Sequence, residues 1–161
     1  MRKTLLMIIA ALACGLSAMA QKTSVFAYTN QTLECLGVEL DGSQTLRVSG
    51  VGRNKADSKE QAKKNAVWAV IFNGIQGGLE GCNTRPLVTE PNAKEKYEDY
   101  FNIFFMDNGD YKEYVSMEDT KRRSAKKAKS KSTANYTITV RVLRAQLKQR
   151  LITDGVLKVE K

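Results

Sequence analysis

The sequence predicts an α+β fold: a single antiparallel sheet of about four strands with two or three helices packed on one face. Three observations predict it. Apolar residues alternate with polar ones near both ends of the chain, at Leu46 and Val48 and again at Tyr136, Ile138, Val140 and Val142. Between these strands lie two stretches whose apolar residues recur at three- and four-residue spacing, as on helices. The order is hairpin, helix, helix, long-looped hairpin, helix, which suits hairpin pairing better than a parallel sheet with crossovers. Strand order stays open at this level.

The elements follow in turn. Residues 21–32 are polar with few apolar anchors and read as a loose N-terminal arm, so the domain proper spans 33–161. Leu33 to Leu40 reads as a strand with Leu36, Val38 and Leu40 on one face. Asp41-Gly42 is a hairpin turn signal, and Thr45 to Val51 is the return strand. Asp57 is the expected N-cap of the first helix, with Glu60 in capping-box position. Ala62, Ala66, Val67, Val70 and Ile71 form its apolar face, which Trp68 and Phe72 widen. Gly74 ends it, and Gly77, Gly78 and Gly81 mark a connecting loop. Pro91 suits the first turn of a second helix. Ala93, Tyr97, Tyr100, Phe101, Phe104 and Phe105 line its apolar side, and Asn108-Gly109 closes it. Tyr111 to Met117 and Tyr136 to Val142 read as a strand pair around a basic loop at 120–133. Leu143, Leu147 and Leu151 give a last helix stopped by Gly155.

Residues 1–20 read as a signal peptide. Arg2 and Lys3 precede an apolar run from Leu5 to Ala13, and Ala18-Met19-Ala20 is a cleavage site that leaves Gln21 first. The apolar run is too short to span a membrane. A lipoprotein signal ending at Cys14 is the less favoured alternative, because Ala11 stands where a lipobox has Leu. The expected location is therefore periplasmic or secreted.

Processing leaves roughly 140 residues, enough for one domain. The chain carries a net charge of +9 and no histidine. Without His there is no Ser-His-Asp or Cys-His nucleophile and no His-ligated zinc. The mature chain holds two cysteines, too few for a four-cysteine zinc or iron–sulfur site. In an oxidising compartment Cys35 and Cys82 are a natural pair. Closing a loop of roughly 47 residues is worth about 4 kcal/mol in the chain-entropy model. The alternative leaves Cys35 as a small core residue and Cys82 free in the loop.

Leu46-Arg47-Val48-Ser49-Gly50-Val51-Gly52 running into Ser58-Lys59-Glu60-Gln61-Ala62-Lys63-Lys64-Asn65-Ala66 is a strand, a G-x-G and a helix with Ala at every fourth position. This resembles the opening of small exported bacterial domains, namely the LPP-twenty-like envelope lipoproteins and the N-terminal domain of the flagellar outer-membrane T protein. The stretch from Val140 to Leu143, with Leu147-Lys148-Gln149-Arg150-Leu151 and Gly155, resembles uncharacterised exported envelope proteins of Bacteroidetes-type bacteria. The resemblance covers less than half of the mature chain. It implies a compact envelope α+β domain and brings no catalytic residues with it.

Candidate sites are few. Gly50-Val51-Gly52 opens like a dinucleotide fingerprint, but Lys55 occupies the third glycine position and the flanking strands form a hairpin. Close strand-to-helix packing explains these glycines better. The Gly74–Gly81 loop lacks the G-K-[ST] ending of a phosphate loop. Glu95, Glu98 and Asp99, and Glu118 with Asp119, are acidic clusters, and a carboxylate hydrolase is the least favoured reading. The first cluster is interleaved with Lys94 and Lys96, as on a solvated helix face. The sharpest feature is basic: Lys121, Arg122, Arg123, Lys126, Lys127, Lys129 and Lys131 fall within eleven residues. Such a run suits a polyanion, and it equally suits a solvated loop with little to bury. No catalytic, metal or cofactor residue stands out. The leading expectation is a non-enzymatic envelope protein acting through protein–protein contacts, with an unidentified protein partner, and polyanion binding is the alternative.

Overall fold

The computed structural model describes residues 33–79, 81–117, 127–129 and 134–158, with 127–129 and 134 described as backbone. Its strands are β1 (Leu33–Val38), β2 (Gln44–Gly52), β3 (Val115–Ser116), β4 (Lys127–Lys129) and β5 (Ala134–Val142). The helices are α1 (Lys55–Trp68), α2 (Ala93–Lys96), α3 (Glu98–Phe104) and α4 (Arg144–Thr153). A π-helical turn covers Ala69–Asn73 and a 3₁₀ turn Asp110–Tyr114. The fold is α+β, with one open antiparallel sheet. Its order is β1-β2-β5-β3, and β4 shares the outer edge of β5 with β3.

The two nine-residue strands form the centre. β2 runs antiparallel to β5 from Gln44 opposite Val142 to Gly52 opposite Ala134. Leu46, Val48, Ile138, Val140 and Val142 are buried on the face under α1. The reverse face is polar: Ser49 and Thr137 share a hydrogen bond of 2.9 Å, and Arg47 donates to Glu34 at 2.8 Å. Alternation in these strands thus matches a sheet with one buried face.

The first strand departs from expectation. The inward residue is Cys35, fully buried opposite Leu46, while Val38 and Leu40 are exposed. A bulge between Cys35 and Gly37 shifts the register. The extra residue at the bulge returns Val38, opposite Gln44, to the face of Cys35, so the Leu36-Val38-Leu40 alternation does not run through the strand. The hairpin turn stands as read, with Asp41 Oδ1 accepting from the Ser43 amide at 2.9 Å and the Ser43 hydroxyl at 2.6 Å.

α1 begins earlier than its sequence suggested. Asn54, not Asp57, is the N-cap, and its Oδ1 accepts from the Ala56 and Asp57 amides at 2.8 and 3.0 Å. Asp57 instead sits in the first turn and binds Arg53 at 2.8 Å. Glu60 is consequently released from a capping role and turns sideways. Ala62, Ala66, Val67, Val70 and Ile71 are all buried. α1 lies across β2 and β5, and a Cβ on Gly50 would overlap the Ser58 carbonyl and the Ala62 backbone. The glycines of the G-x-G are there for this contact, as the packing reading held. Asn65 Nδ2 donates to the Ser49 carbonyl at 3.0 Å and fixes the same contact.

The remaining helices do not share the sheet face, contrary to the expected single helical layer. α3 and its C-cap Phe105 pack on the end of α1 and on the π-helical turn through rings: Phe72 to Phe101 at 4.7 Å and Trp68 to Phe105 at 5.6 Å between centroids. α4 packs on the 3₁₀ turn, where Arg150 bridges Asp110 at 2.8 Å. The second predicted helix is broken in two at Tyr97, whose φ of −113° and ψ of 27° leave the helical region. The strand expected over 111–117 is mostly the 3₁₀ turn, because Tyr111 and Tyr114 both turn into the core. Leu147 and Leu151 bury as expected. Among the described residues no helix is long and apolar enough to cross a membrane.

The Gly50 contact yields a paired test. Gly50→Ala should lower stability by about 1–3 kcal/mol, the usual cost of overpacking. Gly37→Ala meets no atom within 4 Å of its new Cβ, so it should stay within about 0.5 kcal/mol of the parent. Urea unfolding of both variants checks this, and equal midpoints would remove the close approach as the reason for the glycine.

Candidate functional site

Most of the basic run lies outside the described residues: Lys121, Arg122, Arg123, Lys126 and Lys131 all do. Lys127 and Lys129 are described, and they form β4 rather than the expected loop. Lys127 stands opposite Tyr136 and Lys129 opposite Ala134. Across β5, Tyr136 and Ala134 stand opposite Gly50 and Gly52. The chain continues from Gly52 into Arg53 and Lys55, and Lys55 Nζ lies 5.8 Å from the centre of the Tyr136 ring. Register therefore brings β4 of the basic run and the start of α1 to the same end of the sheet. The sequence separates these two groups by more than seventy positions, so spacing alone held no sign of it.

Cys35 and Cys82 are bonded, with Cα atoms 6.3 Å apart. The bond fastens the loop after α1 to the outer edge of β1. Cys35 N–H donates to the Gly77 carbonyl at 2.8 Å, and the Cys35 carbonyl accepts from Leu79 N–H at 3.0 Å. Gly78 runs between them at φ 120°, where a side chain would overlap the Cys35 backbone. The role is structural, since Cys35 is fully buried and a bonded sulfur is no nucleophile.

A charged cleft beside α1 went unnoticed in the sequence. It has a volume of about 400 Å³ and runs from Gly52 and Arg53 along Asp57, Glu60 and Lys64 to Asp107, Tyr111 and Lys112. Lys64 lies at its inner end with only 9% of its side chain exposed, and its Nζ donates to Asp107 at 2.9 Å. The same ammonium sits 5.5 Å from the Tyr111 ring centre. Glu60 accepts from Lys63 at 2.7 Å and from the Tyr111 hydroxyl at 3.0 Å, with Lys112 Nζ at 3.6 Å. The helical spacing of Glu60 and Lys64 would have paired them with each other. Instead each turns to the 107–112 segment, which only the tertiary fold brings alongside.

The electrostatics of the cleft favour charge over proton transfer. Burial tends to raise the Glu60 carboxyl, but hydrogen bonds from Lys63 and Tyr111 and the charges of Lys63 and Lys112 outweigh it and hold it below the usual range. The Lys64 hydrogen bond and charge hold Asp107 down, with help from Lys112 and Arg53. Burial and the Glu60 carboxylate push the Tyr111 phenol up, so it stays a neutral donor. Both carboxylates are thus ionised throughout the neutral range, which suits ion pairing and not general acid work.

Of the acidic clusters read from sequence, only the first lies among the described residues. Glu95, Glu98 and Asp99 are exposed on α2 and α3, while Glu118 and Asp119 lie outside the described residues. Among the described residues no three metal-ligating side chains come together. A search of protein-family models, of curated proteins and of solved structures finds no match to the chain.

Glu60 carries a pH prediction. Its folded pKa lies below its unfolded value, so its contribution is present above the ordinary carboxylate range and is lost as pH falls through the folded value. Glu60→Gln should cost about 0.5–1 kcal/mol at pH 7, given its partial exposure. The difference from the parent should close towards about pH 3. Urea midpoints across that range check it, and a pH-independent difference would assign the effect to packing.

Proposed function

We propose that the protein is an exported, disulfide-braced binding module of the bacterial envelope that acts through surface contacts and not through catalysis. The bonded pair Cys35–Cys82 carries this reading. Such bonds persist in oxidising compartments and suit a small domain whose own core is limited. The signal-like stretch 1–20 and the resemblance to exported envelope domains point the same way. The cleft beside α1 supports it too: its carboxylates Asp57, Glu60 and Asp107 are each paired with a cation. The experiment is expression in a bacterium with fractionation and intact-mass analysis. The expected product is exported, begins at Gln21 and shows no free thiol when denatured without reductant. A species with lipid on Cys14, or two free thiols in the exported chain, would overturn this form of the reading.

A second reading, in which the partner is a polyanion, is favoured by the convergence of Lys127 and Lys129 with Arg53 and Lys55 at one end of the sheet. Oppositely charged polymers bind such ends through counterion release and bind less at high salt. Replacing the seven basic residues of the run with Gln keeps the β4 backbone and removes the charge. The variant should leave heparin resin at clearly lower salt than the parent, with thermal stability nearly unchanged. Elution at the same salt would return the run to a solvating role.

A further inference from the structure

The cleft beside α1 has an uneven pairing that the proposed surface function leaves unused. Three cations line it: Arg53, Lys64 and Lys112. Arg53 is bound to Asp57 in the first turn of α1, and Lys112 donates to Asn108 at 2.8 Å beside Glu60. Lys64 differs from both. It is the buried one, while its counterion Asp107 has 97% of its side chain exposed. A buried ammonium needs a counter-charge, but nothing requires that charge to come from the chain itself. Asp107 is on a turn and reaches Lys64 from the solvent side. The exposed Asp107 carboxylate can return to water without a desolvation cost, provided another anion takes its place on the buried Lys64 ammonium.

We infer that the cleft is an oxyanion site in which Asp107 holds the place of a phosphate group. On ligand entry the Asp107 carboxylate swings out to water and the phosphate takes over the Lys64 ammonium. The site favours phosphate over a second carboxylate for two reasons. Lys112 and Arg53 stand on the walls, so an anion with more than one negative charge meets more than one cation. Arginine also matches tetrahedral oxyanions through paired N–H donors. The other carboxylates do not bar entry: Glu60 is held by Lys63 and the Tyr111 hydroxyl, and Asp57 by Arg53 Nε, so Lys112 and the Arg53 Nη groups are the cations left to a phosphate. Lys64, Lys112 and Arg53 all act on the Asp107 carboxylate, so an anion that takes its position meets the same three cations. The phosphate can be free or carried on a larger envelope polymer, and the chemistry at Lys64 is the same.

The test titrates the processed chain with inorganic phosphate, followed by amide shifts in residues 52–64 and 107–112, against chloride at equal ionic strength. Asp107→Asn removes the place-holder and leaves the buried ammonium without a counter-charge, so it should tighten phosphate binding by at least about twofold. Lys64→Met keeps the apolar stem and should abolish the shifts. The variant with the basic run neutralised should bind inorganic phosphate like the parent, which separates this site from the polyanion reading. A long-chain polyphosphate arm distinguishes the sources: a gain over inorganic phosphate that is lost in the run-neutralised variant identifies a polymer-borne group seated at the same Lys64. Unchanged affinity in Asp107→Asn, retained shifts in Lys64→Met, or binding of phosphate only as polymer and independently of Lys64, would each overturn the inference.

Discussion

The contact of α1 with the backbone of β2 is the constraint from which the rest of the molecule takes its shape. At Gly50 and Gly52 the helix lies so near the strand that no side chain fits between them. Asn65 then fixes its rotation by donating to the Ser49 carbonyl. With that distance and rotation set, Ala62, Ala66 and Val67 meet the sheet, and Glu60 and Lys64 turn towards the side where the cleft forms. Trp68 and Phe72 are carried past the sheet, where they receive the aromatic side of α3. Small residues on the helix and strand thus make a three-layered core available to a short chain.

The segment between α1 and α2 is held by backbone chemistry more than by apolar burial. The π-helical turn at Ala69–Asn73 presents the carbonyls of Val70 and Ile71, which accept from Leu87 and Val88 at 3.0 and 2.8 Å. Such a turn leaves carbonyls without their usual helical partners, and here the returning chain supplies them. Upstream, Gly77 to Leu79 pairs with Cys35, and the disulfide locks that pairing. The outer edge of β1 is thereby covered at its middle, which blunts an edge that would otherwise accept a foreign strand.

Charge is distributed in two ways that suit different tasks. Around the cleft and at α4, cations and carboxylates are matched one against another: Arg150 alone bridges Asp110 and Asp154, and Tyr100 donates to the same Asp154. These pairs tie α4 to the 3₁₀ turn and to α3. Elsewhere the register brings β4, with Lys127 and Lys129, and the start of α1, with Lys55, to one end of the sheet.

The central features were legible in the sequence because they rest on local periodicity. Alternation at Leu46–Val48 and Ile138–Val142 marked two strands with one buried face, and the spacing of Ala62, Ala66 and Val70 marked the helix across them. The G-x-G announced close packing, and Cys35 with Cys82 stood as a candidate pair that the sequence left open. Where local signals competed, tertiary structure decided. Asn54 and Asp57 both cap well, and the start of the helix depended on where β2 released the chain. In β1 the spacing of Leu36, Val38 and Leu40 competed with that of Leu33 and Cys35, and the strand buries Cys35, bonded to Cys82, with a bulge directly after it. Tyr97 fits a helix by spacing, yet the chain bends there to bring Phe101 and Phe105 onto α1. The cleft was beyond reach of sequence, because Lys64 and Asp107 are far apart in the chain and become partners only when α1 and the turn after α3 are packed side by side.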